Sequence, residues 1–475
     1  MNIKYTLTTL AFFLFTQLSH SQAPRYEIKG HLENYSQDSI FLGYYYGDKQ
    51  YLLDTATVEN GDFQFSEDSL KEGVYLVVMP PDNRYFQIIV DAEENEFSFS
   101  GDLDQIEETI EFTGSSDNEL FYKNLRYIST KRKEVEALNA AKDTLSEADQ
   151  LAVDERLKAI NDEVTLYQKS LVEANPGYLT SALIRSGFLI DIPEYTGTQE
   201  EINTQQYRYY KKHYFDHVNL SDERLLRAPK HIIFDRVNYY LEKLTPQHPD
   251  SIIQSIDYLL HEMEGAEEIY RYYLIKFLND YAQSKIVGMD AVYVHLALNY
   301  YAKDKAPWVE DAQLEKIIQN AREAEPTLIG KFAPNVKLQQ RDSTDITLYD
   351  IRADYTIVVF WAHDCSHCKE SMPKLKDFYE KRGADLGIKV FSVCTKVLKD
   401  EPPCWEFVDE RQLDTMDGWI NVSDQNGGRS FMHSLFNIKK TPKLFILDKD
   451  KKIISKDLGP EQLGEFFDQI IKPQN

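Results

Sequence analysis

Cys365 and Cys368 stand at C-x-x-C spacing, with Ser366 and His367 between them. Two thiols so placed can open a disulfide in another chain and close one of their own: one sulfur attacks and the other resolves the mixed disulfide. Only the thiolate attacks, so its environment sets its reactivity. Cys365 reads as the exposed attacking sulfur and Cys368, one turn further on, as the resolving one. An imidazolium at His367 would favour the Cys365 thiolate, whereas Asp364 pushes the other way. The same sulfurs with His363 or His367 would also suit Cu(I), a soft cation, so metal handling is an alternative use of the motif. The two remaining cysteines, Cys394 and Cys404, also lie in the last quarter of the chain. A structural disulfide framework would be spread more widely, so the four together read as a redox site. Cys394 and Cys404 form either a second, inert disulfide or a relay to the first pair.

A β-prone apolar run, Thr356 to Trp361, must deliver these thiols, because helical periodicity begins right after them. Met372, Leu375, Phe378 and Tyr379 share one helix face, and Gly383 follows Lys381-Arg382 as a stop signal. The first turn of a helix has unpaired N–H groups and partial positive charge, both of which favour a thiolate. Around this unit the pattern predicts a lead-in hairpin (332–338 and 346–348) and a strand over 388–393. A long segment, Cys394 to Val422, comes before a helix over 430–436. Strands over 443–447 and 452–455 and a closing helix over 461–471 follow. The order β-β-α-β-insert-α-β-β-α predicts an α/β sheet with helices on both sides.

These residues resemble the thioredoxin superfamily, in its TlpA/ResA-like branch of the Gram-negative envelope. The resemblance is carried by Phe360-Trp361-Ala362, Cys365-Ser366-His367-Cys368, Lys369, Pro373 and Thr441-Pro442 before Lys443-Leu444-Phe445-Ile446-Leu447. It covers about residues 330–473. It implies a cis Thr441–Pro442 bond facing the cysteine pair and thiol-disulfide oxidoreductase activity without a dissociable cofactor or resident metal. On that footing Cys365, Cys368, His367 and Pro442 are catalytic, while Trp361 and Thr441 bind substrate. The implied partners are thiols and disulfides of exported proteins and an envelope electron donor. There are departures. Thioredoxin carries a buried aspartate where Val359 stands here, so Glu370, Glu401 or Glu406 would have to assist proton transfer to the inner cysteine. Asp364 replaces the tryptophan usual before the first cysteine. Ala333-Pro334 resembles the lead-in of peroxiredoxins, but Ala362 occupies the position where peroxidase chemistry needs a threonine.

The rest of the chain reads as a multidomain protein: residues 25–114 as an all-β sandwich, 115–326 as an all-α domain and 330–475 as the thioredoxin fold. Seven β-prone stretches lie between Tyr26 and Ser100, and Asn60-Gly61 is a strong hairpin signal because a primed turn needs positive φ. From Tyr122 to Glu173 the pattern is one long charged helical stretch, broken at Asn175-Pro176-Gly177, with further helices up to Glu323. The histidines in this region lack the spacing of a metal motif. Both upstream regions resemble uncharacterised companions of envelope redox domains, which leaves a partner-binding scaffold as a second class of function. Residues 1–21 read as a secretory signal peptide, with Lys4, an apolar segment from Leu7 to Leu18 and Ser19-His20-Ser21. No cysteine there offers a lipid anchor, and no later stretch reaches transmembrane length, so the expectation is a soluble periplasmic protein. The formal charge of −25 argues against nucleic acid and anionic membranes as partners.

Overall fold

The computed structural model describes residues 26–67, 69–142, 145–397, 400–424 and 431–471. The expected signal peptide lies outside them. The chain divides into two compact units, Met1–Val237 and Asn238–Asn475.

The first unit begins with eight strands: β1 (Tyr26–Glu33), β2 (Ser39–Tyr46), β3 (Lys49–Thr57), β4 (Asp62–Glu67), β5 (Gly73–Met79), β6 (Arg84–Val90), β7 (Glu96–Asp102) and β8 (Glu111–Thr113). They form two sheets, β4-β1-β7-β8 and β3-β2-β5-β6. Alternation of apolar and polar residues gives each sheet one inner face, and the Phe86 and Phe99 rings meet between the sheets with centroids 5.6 Å apart. Asn60 and Gly61 both take positive φ, 55° and 87°, as a primed turn requires, but the expected hairpin is not formed: β3 and β4 belong to different sheets, and the single bridge Glu59–Asp62 closes a tight corner between them. Strand β8 was not foreseen; it is three residues long and joins the sheet edge.

The short helix α1 (Ile106–Thr109) precedes α2 (Ser116–Lys142), α3 (Glu147–Ala174), α4 (Leu179–Ser186) and α5 (Gln199–His213). The single charged stretch expected over 122–173 is thus two helices. Ser146 caps the second by accepting from the Asp149 N–H. The pair is held by Tyr127 stacked on Tyr167 at 3.8 Å, and by Lys131 and Arg156 sharing Glu163. Buried Asp117 accepts from the N–H groups of Leu179 and Thr180, which satisfies the start of α4.

Helix α6 (Phe234–Glu242) spans the division between the units. The second unit continues with α7 (Pro249–Glu262), α8 (Glu267–Ala282), α9 (Asp290–Asn299) and α10 (Asp311–Ala324). A seven-stranded sheet follows, built from β9 (Lys337–Gln339), β10 (Asp345–Thr347), β11 (Tyr355–Trp361), β12 (Ile388–Val397), β13 (Trp419–Asp424), β14 (Lys443–Leu447) and β15 (Ile453–Lys456) in the order β10-β9-β13-β12-β11-β14-β15. Helices α11 (Ser366–Arg382), α12 (Pro402–Arg411), α13 (Met432–Leu435) and α14 (Leu463–Ile471) accompany it. β11 is central and covered on both faces, which is why its sequence is continuously apolar. Ile357, Val359 and Trp361 join one core layer with Cys368, Met372 and Leu375. Val358 and Phe360 join the other with Phe436 and Phe445. Lys456, 4% exposed, donates to Asp290 of α9 and, at 2.8 Å, to the Thr327 carbonyl. That bond ties the last strand of the sheet to the helices before it.

The expected insert over 394–422 is the main correction to the predicted topology. It holds helix α12 and strand β13, which pairs in parallel with β12.

Candidate active site

The abrupt end of β11 places Cys365 at the N-cap of α11, with φ −85° and ψ 118°. Its sulfur accepts from the Cys368 N–H at 3.2 Å, doing what an oxygen does in an ordinary cap. As a thiol it also donates to the Thr441 carbonyl at 3.2 Å. Thr441 precedes Pro442 through a cis peptide bond, as the resemblance implied. Residues 76 positions apart thereby converge on one sulfur. Cys365 is half-buried and Cys368 fully buried, and both are free thiols.

Burial and hydrogen bonding act on the two thiols in opposite proportion. At Cys365 burial works to raise the thiol, but hydrogen bonds from the Cys368 thiol, from the Thr441 side chain and from the amides of Cys368 and His367 outweigh it and hold it below its ordinary value. At Cys368 burial dominates and pushes the thiol up to about 12, with the bond to Cys365 adding to the rise. The half-buried sulfur is thus shifted toward the thiolate and the buried one toward the protonated form.

The remaining expected site residues divide. His367 is exposed, and its backbone N–H, not its ring, is what favours the Cys365 thiolate. Trp361 was expected to meet substrate. It is 1% exposed, donates from Nε1 to Ser392 Oγ at 2.9 Å and packs on Phe407. A buried indole offers no surface to an incoming chain, so Trp361 supports the site from within. Val359 is 2% exposed in the same layer. Of the carboxylates considered in place of the missing aspartate, Glu370 and Glu406 are exposed. Glu401 is half-buried and accepts from the Trp405 indole and from Ser423 Oγ.

Cys394 and Cys404 are bonded as a disulfide and are 2% and 1% exposed. The bridge sits in the core layer of Cys368 and Trp361, and Cys394 is the register partner of Trp361. It ties β12 to α12, the helix that brings Phe407 against the indole.

Three contributors were missed. Lys396, near the end of β12, donates to Asp364 at 2.8 Å and holds that carboxyl below its usual range. The negative charge beside Cys365 is therefore offset. Thr395 Oγ1 donates to the Trp361 carbonyl at 3.1 Å, and the His433 ring meets the Thr395 carbonyl at 3.3 Å. Nothing in the spacing of Thr395, Lys396 and His433 could have signalled this, because strand register brings them to the site. For the Cu(I) alternative, no group of three or more His, Cys, Asp or Glu residues converges among the described residues.

Residues 329–456 match the AhpC/TSA family. Residues 26–121 and 147–325 match two families described as domains of unknown function, DUF4369 and DUF5106. No curated protein matches the chain. Among solved structures, a domain of a possible thiol-disulfide isomerase from Cytophaga hutchinsonii is 35% identical, covering 30% of this chain and 94% of that one, with a TM-score of 0.28. A thioredoxin-like protein from Bacteroides caccae is 20% identical over 60% of this chain and 100% of that one, with a TM-score of 0.42. The thioredoxin domain of a thiol-disulfide oxidoreductase from Bacteroides vulgatus is 22% identical, over 30% and 98%, with a TM-score of 0.27.

Proposed function

We propose that the C-terminal domain, which matches the AhpC/TSA family over residues 329–456, makes this chain an exported thiol-disulfide oxidoreductase that exchanges disulfides with other exported proteins through Cys365 and Cys368. The Cys365 thiolate attacks one sulfur of a substrate disulfide, forming a mixed disulfide and releasing the other substrate sulfur as a thiol. Cys368 loses its proton and attacks Cys365 Sγ, releasing the second substrate thiol and leaving a Cys365–Cys368 disulfide. Two electrons pass to the substrate, whose two thiols take one proton from Cys368 and one from water. A thiol donor in the envelope restores the dithiol, and run backwards the same steps oxidise a substrate. Thr441 and Pro442, half-exposed beside Cys365, offer backbone to the incoming chain.

The observation that carries this reading is the asymmetry of the pair: a capped, half-exposed Cys365 with a lowered pKa above a buried Cys368 with a raised one. Export rests on the apolar segment before residue 21, and no helix among the described residues is long and apolar enough to cross a membrane. A peroxidase is disfavoured by Ala362, which puts a methyl group where that chemistry needs a hydroxyl.

The test is the reduction potential of the pair in glutathione or dithiothreitol buffers, with Cys365→Ser as control. A value near about −270 mV assigns it to reductants and one near about −120 mV to oxidants. The absence of a reversible two-electron transition at this pair removes the oxidoreductase reading and moves metal binding or scaffolding forward.

A further inference from the structure

The first unit holds a cleft of about 760 Å³ that the redox chemistry does not use. Its walls come from β2, β3, β6, α2, α3 and α4 and from residues 229–232, and its size is that of a site for a small organic ligand. On one wall the Tyr45 hydroxyl accepts from Gln87 Nε2 at 3.0 Å, and the side chains of Gln50 and Tyr85 gather at the same hydroxyl. Deeper in, Asn124 is 8% exposed and its Oδ1 has no hydrogen-bond partner. A buried amide oxygen left unpaired is costly, and Asn124 is among the residues that line the cleft. Gln168 adds a further amide, and Phe121 and Leu183 supply apolar surface.

The lining narrows the chemistry of the occupant. Asp48 and Lys230 are of opposite sign and the amides are neutral, so no net charge selects an ion. A wholly apolar ligand would strip water from four amides without repaying their hydrogen bonds. An added peptide strand is disfavoured because the free edge of β6 is already taken. Asn118 bonds both the N–H and the carbonyl of Ile89, at 2.8 and 2.7 Å, and the Tyr122 hydroxyl donates to the Gln87 carbonyl at 2.8 Å. What remains is a neutral molecule with many hydroxyls and one apolar face. Amides and phenols both donate and accept, as hydroxyls require, and an exposed ring such as Tyr85 can cover a C–H face.

We propose that this cleft binds a neutral carbohydrate, which makes the upstream part of the chain a glycan-recognition module. The test uses the full-length protein with maltotriose and N,N′-diacetylchitobiose as probes, read by saturation-transfer NMR and calorimetric titration. The expected result is saturable binding of at least one probe at about millimolar Kd. Tyr85→Ala and Gln50→Ala, both at exposed positions, should each weaken it about fivefold while leaving the thermal melt and the cysteine potential unchanged. Absence of saturable binding of either probe below about 10 mM overturns the proposal. So does binding that survives both substitutions, or binding of a neutral tripeptide in place of the sugars.

Discussion

At the scale of residues, two like thiols have unlike surroundings. The Cys365 sulfur replaces an oxygen cap, and the N–H groups that would otherwise be orphaned stabilise its thiolate. Its alkylation by iodoacetamide should therefore reach its plateau at lower pH than an ordinary cysteine, while Cys368 stays unreactive across that range. The sign for folding follows. Because the folded pKa of Cys365 is lowered, the stability it contributes to the reduced protein is present above the unfolded value and lost as pH falls through the folded one. Cys368 runs oppositely, with its contribution present below the unfolded thiol value and lost as pH rises toward about 12. Urea unfolding of the reduced protein across this range checks both. Lys396→Ala leaves the Asp364 carboxylate beside Cys365 unopposed, so the alkylation profile should move to higher pH. The neutral-pH rate should fall roughly two- to fivefold, as expected for a solvent-exposed charge pair. Cys368→Ser should accumulate the mixed disulfide at Cys365, visible by mass spectrometry, since nothing then resolves it; a variant that still turns over would mean another thiol resolves.

Among the elements, the segment between Cys394 and Val422 matters most. Its helix and strand widen the sheet and bring Phe407 onto Trp361. The Cys394–Cys404 bridge closes a short loop at that point, and its buried place suits a staple. Replacing both cysteines by serine should cost about 2–3 kcal/mol in urea unfolding, as expected for a loop of this length. The Cys365–Cys368 pair should keep its reversible two-electron transition in that variant. Loss of the transition with the fold intact would instead make the bridge a relay. The carboxylates considered for proton transfer to Cys368 also belong to this scale. Glu401, the half-buried one, is engaged with Ser423 of β13 and the Trp405 indole beside the bridge, a position set by the inserted unit.

For the whole molecule, the −25 charge acts on encounter more than on chemistry. Disulfide exchange with a cationic model peptide should be faster than with an anionic one at low salt. The difference should shrink as ionic strength rises and the Debye length falls to about 8 Å near 0.15 M. Stopped-flow rates at two salt concentrations decide it, and equal rates at low salt would mean that the acidic surface lies away from the approach to Cys365.

The C-x-x-C spacing, the apolar run before it and the amphipathic pattern after it determined a strand-to-helix thiol site. Each of these is local: a side-chain period of two, then one of 3.6, with a change of backbone between them. Asn60-Gly61 determined its tight turn for the same kind of reason, while the pairing of β3 and β4 into different sheets was decided by tertiary structure. Tertiary structure alone decided what surrounds the sulfurs. Lys396 reaches Asp364, Thr441 reaches Cys365 and the Trp361 indole is sealed by Phe407, all through pairings of residues more than 30 positions apart. The chain past Cys394 carries proline, tryptophan and alternating polar residues that suit a loop as well as a helix and a strand. Pairing with β12 on one side and β9 on the other makes Trp419–Asp424 a strand. The cleft beside Asn124 is likewise a product of packing, because its amides and tyrosines come from five separate elements and no spacing along the chain joins them.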